Sequence, residues 1–318
     1  MTTKQSDSSA IVAVTQVAPV ALTTFDVELT GPLDMPASLE FFRRNGDDLL
    51  DRWDGAHFVR TQRVAHVTVA YVCEPAGSVQ RPAMRVSIAD PAHQEVIAAT
   101  VRAAFVQPPA AEYAYLLAHD PLIADLDRRF PGLRPIRQFD LFTALVRSIS
   151  AQQVNLRWAA TTRRRLAEAF GEQHTIGPHV VYSLNPQRLA QAPPAELRAL
   201  QFTTRKAEYI VAAAQAIASG ALSLETLAAL PDDAVIARLT ALRGIGRWTA
   251  EWLLARTLGR PCVVAGDLAV RKVVGRAYLD QPGTPLVSEE AVRQATAHWG
   301  ASANVAQALL LHSLVAEV

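Results

Sequence analysis

Cysteine is nearly absent from this 318-residue chain, which has only Cys73 and Cys262. Two thiols are too few for a disulfide framework, a four-cysteine zinc site or a cysteine-ligated iron–sulfur cluster. Lysine is almost as scarce. Lys4, Lys206 and Lys272 are three of 31 basic residues, so arginine carries nearly all the positive charge. Arginine suits bidentate contacts to phosphate, although a compositional bias gives the same count. No run of about 18 apolar residues occurs, which excludes a membrane-spanning helix. The apolar stretch Ala10–Leu22 is interrupted by Thr15, Gln16 and Pro19. Asp7, Ser8 and Ser9 stand where a signal peptide carries positive charge, so residues 1–20 read as a flexible tail and the expected location is the cytoplasm. The phosphate-binding loop, the dinucleotide glycine fingerprint and G-x-S-x-G are all missing. The eight histidines (57, 66, 93, 119, 174, 179, 298 and 312) are scattered without metal-ligand spacing. His312, inside L-L-L-H-S-L, reads as a satisfied core histidine.

What is present is ample material for packed cores. Half the residues are hydrophobic and 19% are charged, and the length suggests about two domains. The net charge of +1 hides an asymmetry: residues 1–110 hold nine basic and twelve acidic residues, the remainder 22 and 18. A mildly basic second part permits a nucleic-acid partner without demanding one. Ala21–Leu29, Ala65–Val72 and Ala83–Ala89 have strand composition, while Phe41–Trp53 and Glu95–Phe105 have helical spacing. Residues 21–108 are therefore expected to form a small sheet with a helix or two. Pro108-Pro109 favours an extended connection and marks the boundary. Residues 109–318 read as all-helical, about ten helices, including Phe142–Ile149, Ala159–Phe170, Lys206–Ala218 and Val287–His298.

The most informative run is L-T-A-L-R-G-I-G-R-W-T-A-E-W-L-L-A-R-T-L, Leu239 to Leu258. Asp232 or Asp233 can cap a helix running to about Thr240. Gly244-Ile245-Gly246 then forms a tight hairpin with one apolar residue plugged inward, and a second helix opens at Arg247. Glycine admits backbone conformations closed to other residues, and a helix N-terminus offers unpaired N–H groups to a phosphate. Twenty-one residues past Gly246 comes Asp267, in P-C-V-V-A-G-D-L-A-V-R-K. Asp267 stands where another helix begins, so a helix cap is one reading of it. Trp248 and Trp252 are four apart and share a helix face, which suits core packing as readily as a binding wall.

A helix-hairpin-helix followed by a Gly/Pro-rich stretch ending in aspartate resembles the helix-hairpin-helix base-excision DNA glycosylases. The variant G-I-G-R-W-T-A is similar to 3-methyladenine DNA glycosylase II, the AlkA type. The run L-F-T-A-L-V-R-S-I-S-A-Q-Q-V-N (141–155) resembles that family's Q-Q-V-S segment, with Asn155 in place of serine. F-P-G-L-R-P (130–135) and Arg205-Lys206 also match. The resemblance is strong over residues 112–275 and weak over 22–105. It implies an α+β chain: predominantly helical helix-hairpin-helix glycosylase domains (DNA-binding hairpin 232–258, aspartate loop 261–268) behind a small N-terminal antiparallel sheet.

The resemblance also implies roles. Asp267 matches the catalytic carboxylate. Trp248 and Trp252 match aromatic walls of the base pocket. Trp299 is expected as a third wall, although W-G-A-S-A-N departs from the family's arginine-containing run. Trp248 stands where strand-cleaving relatives carry a Schiff-base lysine, which implies a monofunctional enzyme without lyase activity. Gln153 matches the wedge that fills the gap left by a flipped nucleotide; a helix-terminal glutamine facing water is the other reading. Arg243, Gly244, Ile245, Gly246, Arg247 and Lys272 are expected along the DNA backbone, with a solvated basic face as the alternative for the charged ones. The backbone carbonyls of Thr240, Leu242 and Ile245 match the family's monovalent-cation site (Na or K). No other cofactor is expected. The implied substrates are alkylated purines such as 3-methyladenine and 7-methylguanine in double-stranded DNA, handled by a monomer in the bacterial nucleoid. A non-catalytic DNA-binding module, or a glycosylase for hypoxanthine, ethenoadenine or an oxidised base, remains open.

Overall fold

Thr23–Glu28 (β1), Arg52–Trp53 (β2), Phe58–Val64 (β3), Val67–Gly77 (β4) and Pro82–Ile88 (β5) form one antiparallel sheet, in the order β1-β5-β4-β3-β2. The computed structural model describes residues 21–279 and 286–316. The tail assigned to residues 1–20 lies outside the described residues. Alternation in β5 buries Met84, Val86 and Ile88 on one face. Met35–Arg44 (α1) and Gln94–Arg102 (α2) close that face with Leu39, Phe42, Ile97 and Val101.

Two elements of this region depart from the periodicity reading. The helix expected over Phe41–Trp53 lies earlier, because Asp34 caps α1 by accepting from the Ala37 N–H at 3.0 Å. The chain then leaves helical geometry at Gly46 (φ +100). Asp47 and Asp48 accept from the N–H groups of Leu49 and Leu50 at 2.9 and 3.2 Å, local bonds that compete with a helix. Strand β3 was not expected at all. Its R-T-Q-R stretch looks polar and exposed, yet Arg60 points inward to pair with Asp51 at 2.6 Å.

Helices begin at Ala110, immediately after the two prolines: Ala110–His119 (α3), Pro121–Arg129 (α4), Leu141–Ala151 (α5) and Leu156–Phe170 (α6). There follow Pro186–Ala190 (α7), Pro194–Ala199 (α8), Thr204–Ala218 (α9), Leu224–Ala229 (α10) and Asp232–Thr240 (α11). The last are Arg247–Leu253 (α12), continued by a π-helical turn over Leu254–Leu258, then Leu268–Tyr278 (α13), Glu289–Thr296 (α14) and Ala303–Ala316 (α15). The helical reading needs one correction. Gly171–Ile176 (β6) and His179–Leu184 (β7) form a hairpin between α6 and α7, where Gly171 begins a strand rather than merely ending a helix.

Helix α5 is the axis of the second region, with ten of its eleven residues buried. A helix buried on nearly every side needs neighbours on every side, and its Arg147, Ser148 and Ser150 need polar partners there. It packs on α6, α9 and α12 in the largest core, with Leu145, Ile149, Leu166, Ile210 and Leu253. A separate core joins α3, α4, α13, α14 and α15. The two regions are tied together at 104–107: the Val106 N–H donates to Pro135 and the Arg137 N–H to Ala104, at 2.8 and 2.7 Å. The site lies between these bodies.

Candidate active site

The glycine hairpin is built as its residues require. Helix α11 ends at Thr240 and α12 opens at Arg247. Asp232 and Asp233 lie in the first turn of α11 rather than at its cap, which Pro231 occupies, and Asp232 pairs with Arg260 at 2.7 Å. Gly244 adopts φ +87, and a Cβ there would stand 2.2 Å from the Tyr209 ring, so the loop crosses α9 only without a side chain. Ile245 is the plug, 5% exposed in the main core. Thr249 and Ala250 are buried, and the Ser148 hydroxyl of α5 bonds Thr249 at 2.9 Å.

Along α12 and its π-helical extension, Trp248, Trp252 and Arg256 recur every four residues. All three line a cavity of about 380 Å³, together with Asp267. Phe41 and Phe42 of α1, Leu156 of α6 and Val270 of α13 complete its apolar walls. That volume lies in the range of small-molecule sites.

Asp267 is both a helix cap and a cavity group. Its Oδ1 accepts from the N–H groups of Ala269 and Val270 at 2.9 and 3.1 Å, which fixes the carboxylate at the start of α13. Its Oδ2 accepts a long bond, 3.3 Å, from the Trp248 indole. A carboxylate oxygen with one weak donor retains acceptor capacity. The loop before it is clamped from α15: Gln307 accepts from the Val264 N–H at 2.8 Å, and Asn304 bonds Cys262 and the Arg260 carbonyl at 3.2 and 2.9 Å. Both amide side chains are buried. Neither was singled out in the sequence, because an amide 40 residues downstream carries no local signal.

Arg256 was also missed, although the Trp248–Trp252 spacing continued by four reaches it. Burial lowers its guanidinium pKa to about 10, against the raising effect of Asp267. It therefore stays cationic at neutral pH. A second carboxylate faces the same cavity. Asp48 is bound by Arg147 at 3.0 Å and Arg163 at 2.8 Å, all three buried. Burial pushes the Asp48 pKa up, and the two guanidinium groups with the Leu50 N–H more than offset that, leaving it below the usual carboxylate range.

Gln153 is exposed in the turn between α5 and α6 with φ +55, beside Gln152, whose amide donates to the Gly244 carbonyl at 3.0 Å. The expected wedge and the hairpin are thus adjacent. Asn155 takes over the cap of α6, accepting from the Trp158 N–H at 2.8 Å. Lys272 is exposed; Arg243 pairs with Glu208 at 3.1 Å and Arg247 with Glu251 at 2.9 Å. The Leu242 carbonyl accepts from the Ile245 N–H at 3.1 Å, and so turns into the loop that follows Thr240.

Two expectations fail on placement. Trp299 is 1% exposed and does not line the cavity; its indole donates to the Tyr278 hydroxyl at 3.3 Å within the α13–α15 core. A large apolar residue beside Gly300 (φ +48) is carried inward by the kink there. His312 is not a core histidine. It is half-buried at the cavity edge, against Phe130, and burial lowers its pKa.

Residues 146–298 match the family model described as "HhH-GPD superfamily base excision DNA repair protein". The chain carries an HhH-GPD domain. The hairpin, the tryptophan pair and Asp267 all fall inside it. Over 143 residues the chain is 37% identical to a Bacillus subtilis protein named DNA-3-methyladenine glycosylase, covering 45% of this chain and 47% of that one. Over 128 residues it is 35% identical to Escherichia coli DNA-3-methyladenine glycosylase 2, covering 40% and 44%. The chain spans about half the length of the curated relatives it matches. A solved structure of 3-methyladenine DNA glycosylase from Archaeoglobus fulgidus has the same fold, with TM-score 0.80 at 23% identity over 92% of this chain and 98% of that one. Among the described residues no helix is long and apolar enough to cross a membrane.

Proposed function

We propose that this HhH-GPD chain is a monofunctional DNA glycosylase that excises alkylated purines such as 3-methyladenine and 7-methylguanine from duplex DNA, acting as a monomer. The observation that carries the reading is Asp267, anchored through Oδ1 and presenting Oδ2 to a tryptophan-walled cavity. Breaking an N-glycosidic bond leaves the bonding electrons on the base and positive charge on the sugar. A fixed carboxylate stabilises that charge and accepts a hydrogen bond from the water that attacks the anomeric carbon. Alkylation at N3 or N7 already makes the purine a good leaving group, so one carboxylate suffices.

A nucleotide inside a duplex is out of reach and must be flipped out, at a cost of a few kcal/mol. Trp248 and Trp252 would receive the base; an electron-rich ring attracts a cation by on the order of 2 kcal/mol when desolvated. Gln153 would fill the gap left in the duplex. Gly244, Ile245, Gly246, Arg243, Arg247 and Lys272 would hold the backbone, Arg243 and Arg247 by exchanging a carboxylate for a phosphate. The carbonyls of Thr240, Leu242 and Ile245 suit a monovalent cation, since a helix end leaves such groups without intrahelical partners. When bound, that ion would add positive charge facing the phosphates. Trp248 has no amine, so no Schiff base forms there and the product is an abasic site.

Arg256 favours a second reading. A cation in the cavity opposes a cationic base and suits a neutral one with acceptor edges, such as hypoxanthine or ethenoadenine. One experiment separates the readings: duplexes with single defined lesions are incubated with the protein, with Asp267→Asn and with Arg256→Gln. The primary reading expects methylpurine release, lost in Asp267→Asn with DNA binding retained, and no strand cleavage without alkali. DNA binding without release of any base would make the chain a binding module.

A further inference from the structure

Away from the cavity, the fold joins three residues that the sequence holds far apart. Asp54 and His57 occupy the turn between β2 and β3, and His179 opens β7, more than 120 residues later. One ligand atom from each lies within 4.8 Å of the other two. The two imidazole rings are in contact, with centroids 4.7 Å apart and planes at 48°. We propose that Asp54, His57 and His179 form a binding site for a divalent transition-metal ion of the zinc class, independent of the glycosylase reading.

The donor chemistry fits. Two imidazole nitrogens and one carboxylate oxygen are ligands of zinc, and they leave a fourth position for water. Tetrahedral zinc at bond lengths of about 2.0–2.2 Å holds its ligand atoms roughly 3.3–3.6 Å apart. The cluster therefore closes by an ångström or so, and Asp54 and His57 are exposed enough to rotate.

The site is also held in shape without an ion. Asp54 Oδ1 accepts from the N–H groups of Ala56 and His57 at 2.8 and 2.7 Å, which sets the turn and leaves Oδ2 outward, 3.1 Å from His57 Nδ1. Hairpin β6–β7 is pinned to the sheet beside it. The Arg52 guanidinium donates to the Val180 carbonyl, and the Tyr182 N–H donates to Leu49 at 2.7 Å. Val59, Val72, Ile176 and Val181 form a small buried apolar cluster between the two elements. Glu74 and Arg52 are within electrostatic reach of His179, and the Arg52 charge is taken up by Asp47 at 2.6 Å. A bound ion would join the turn to the hairpin covalently enough to resist their separation, a cross-link that neither element can make alone.

The probe is Co²⁺, then Zn²⁺, added to the full chain after chelator treatment. The expected result is one tightly bound Co²⁺ with a visible ligand-field absorption, displaced by Zn²⁺, together with a Zn²⁺-dependent rise in melting temperature. His57→Ala and His179→Ala should each weaken binding by about tenfold or more, and Asp54→Asn should weaken it while keeping the turn. His66→Ala, an exposed histidine in the next turn, should leave binding unchanged. In the unsubstituted protein, imidazole NMR signals of His57 and His179 should shift with Zn²⁺ while that of His66 stays put, which needs no variant to fold. Absence of one-to-one binding, equal binding by the His57 and His179 variants, or unmoved His57 and His179 signals overturns the proposal. Base release plays no part in the readout, so its loss or presence does not bear on this site.

Discussion

Two aspartates look into the same cavity and could hardly be treated more differently by the fold. Asp48 is buried and saturated: Arg147 and Arg163 take its two oxygens at 3.0 and 2.8 Å, and Arg147 also reaches Asp51. Asp267 is half-buried and under-committed, with two backbone N–H groups on one oxygen and a 3.3 Å indole contact on the other. A carboxylate buried between two guanidinium groups, each oxygen in a short charged bond, is architecture. One with spare capacity beside a cavity is available for chemistry. Burial and charge alone would have nominated Asp48 for the role proposed for Asp267.

The comparison is sharpest in stability. Asp48→Ala leaves the buried Arg163 guanidinium without a carboxylate and Arg147 with Asp51 alone, and should cost about 3 kcal/mol in urea unfolding, the usual result of breaking a buried network from one side. If it costs under 1 kcal/mol, the network is not what joins the 45–51 loop to α5 and α6. Gly244→Ala should come next, at about 1–3 kcal/mol, from strain at φ +87 and collision with Tyr209. Asp267→Ala should cost only about 1 kcal/mol, the loss of a helix cap, and Asp267→Asn less still, because asparagine caps as well. A large destabilisation by Asp267→Asn would erase the contrast. In activity the order reverses. Asp267→Asn should lower base release by about 10²–10³-fold, in line with removing one preorganised electrostatic group.

The smallest effect is one of pH. The folded-state pKa of Asp48 lies below its ordinary value, so its stabilisation is present above about pH 3.9 and fades as pH falls through the folded value. Unfolding curves of the protein and of Asp48→Asn should therefore differ at pH 7 and converge in strong acid. A gap that stays constant with pH would assign the effect to packing.

The same contrast explains how far the sequence could be read. Trp248, Trp252 and Asp267 follow Gly246 by at most 21 residues, so spacing and resemblance both reach them. Asp48 was invisible because its partners lie 99 and 115 residues away. Strand β3 was hidden by its polar R-T-Q-R stretch, its inward Arg60 being sensible only once Asp51, nine residues earlier, faces it. Hairpin β6–β7 was masked by helices on both sides. Trp299 shows the opposite failure: a residue type suited to the pocket, placed in the α13–α15 core by a turn that no spacing rule announces.

Helix α15 has a consequence for where this enzyme-like unit can be divided. The matched family segment stops at residue 298, whereas the two amides that clamp the aspartate loop, Asn304 and Gln307, come after it. A fragment trimmed to the matched segment would keep the acid and lose the latch that aims it, leaving a trigger with no sear.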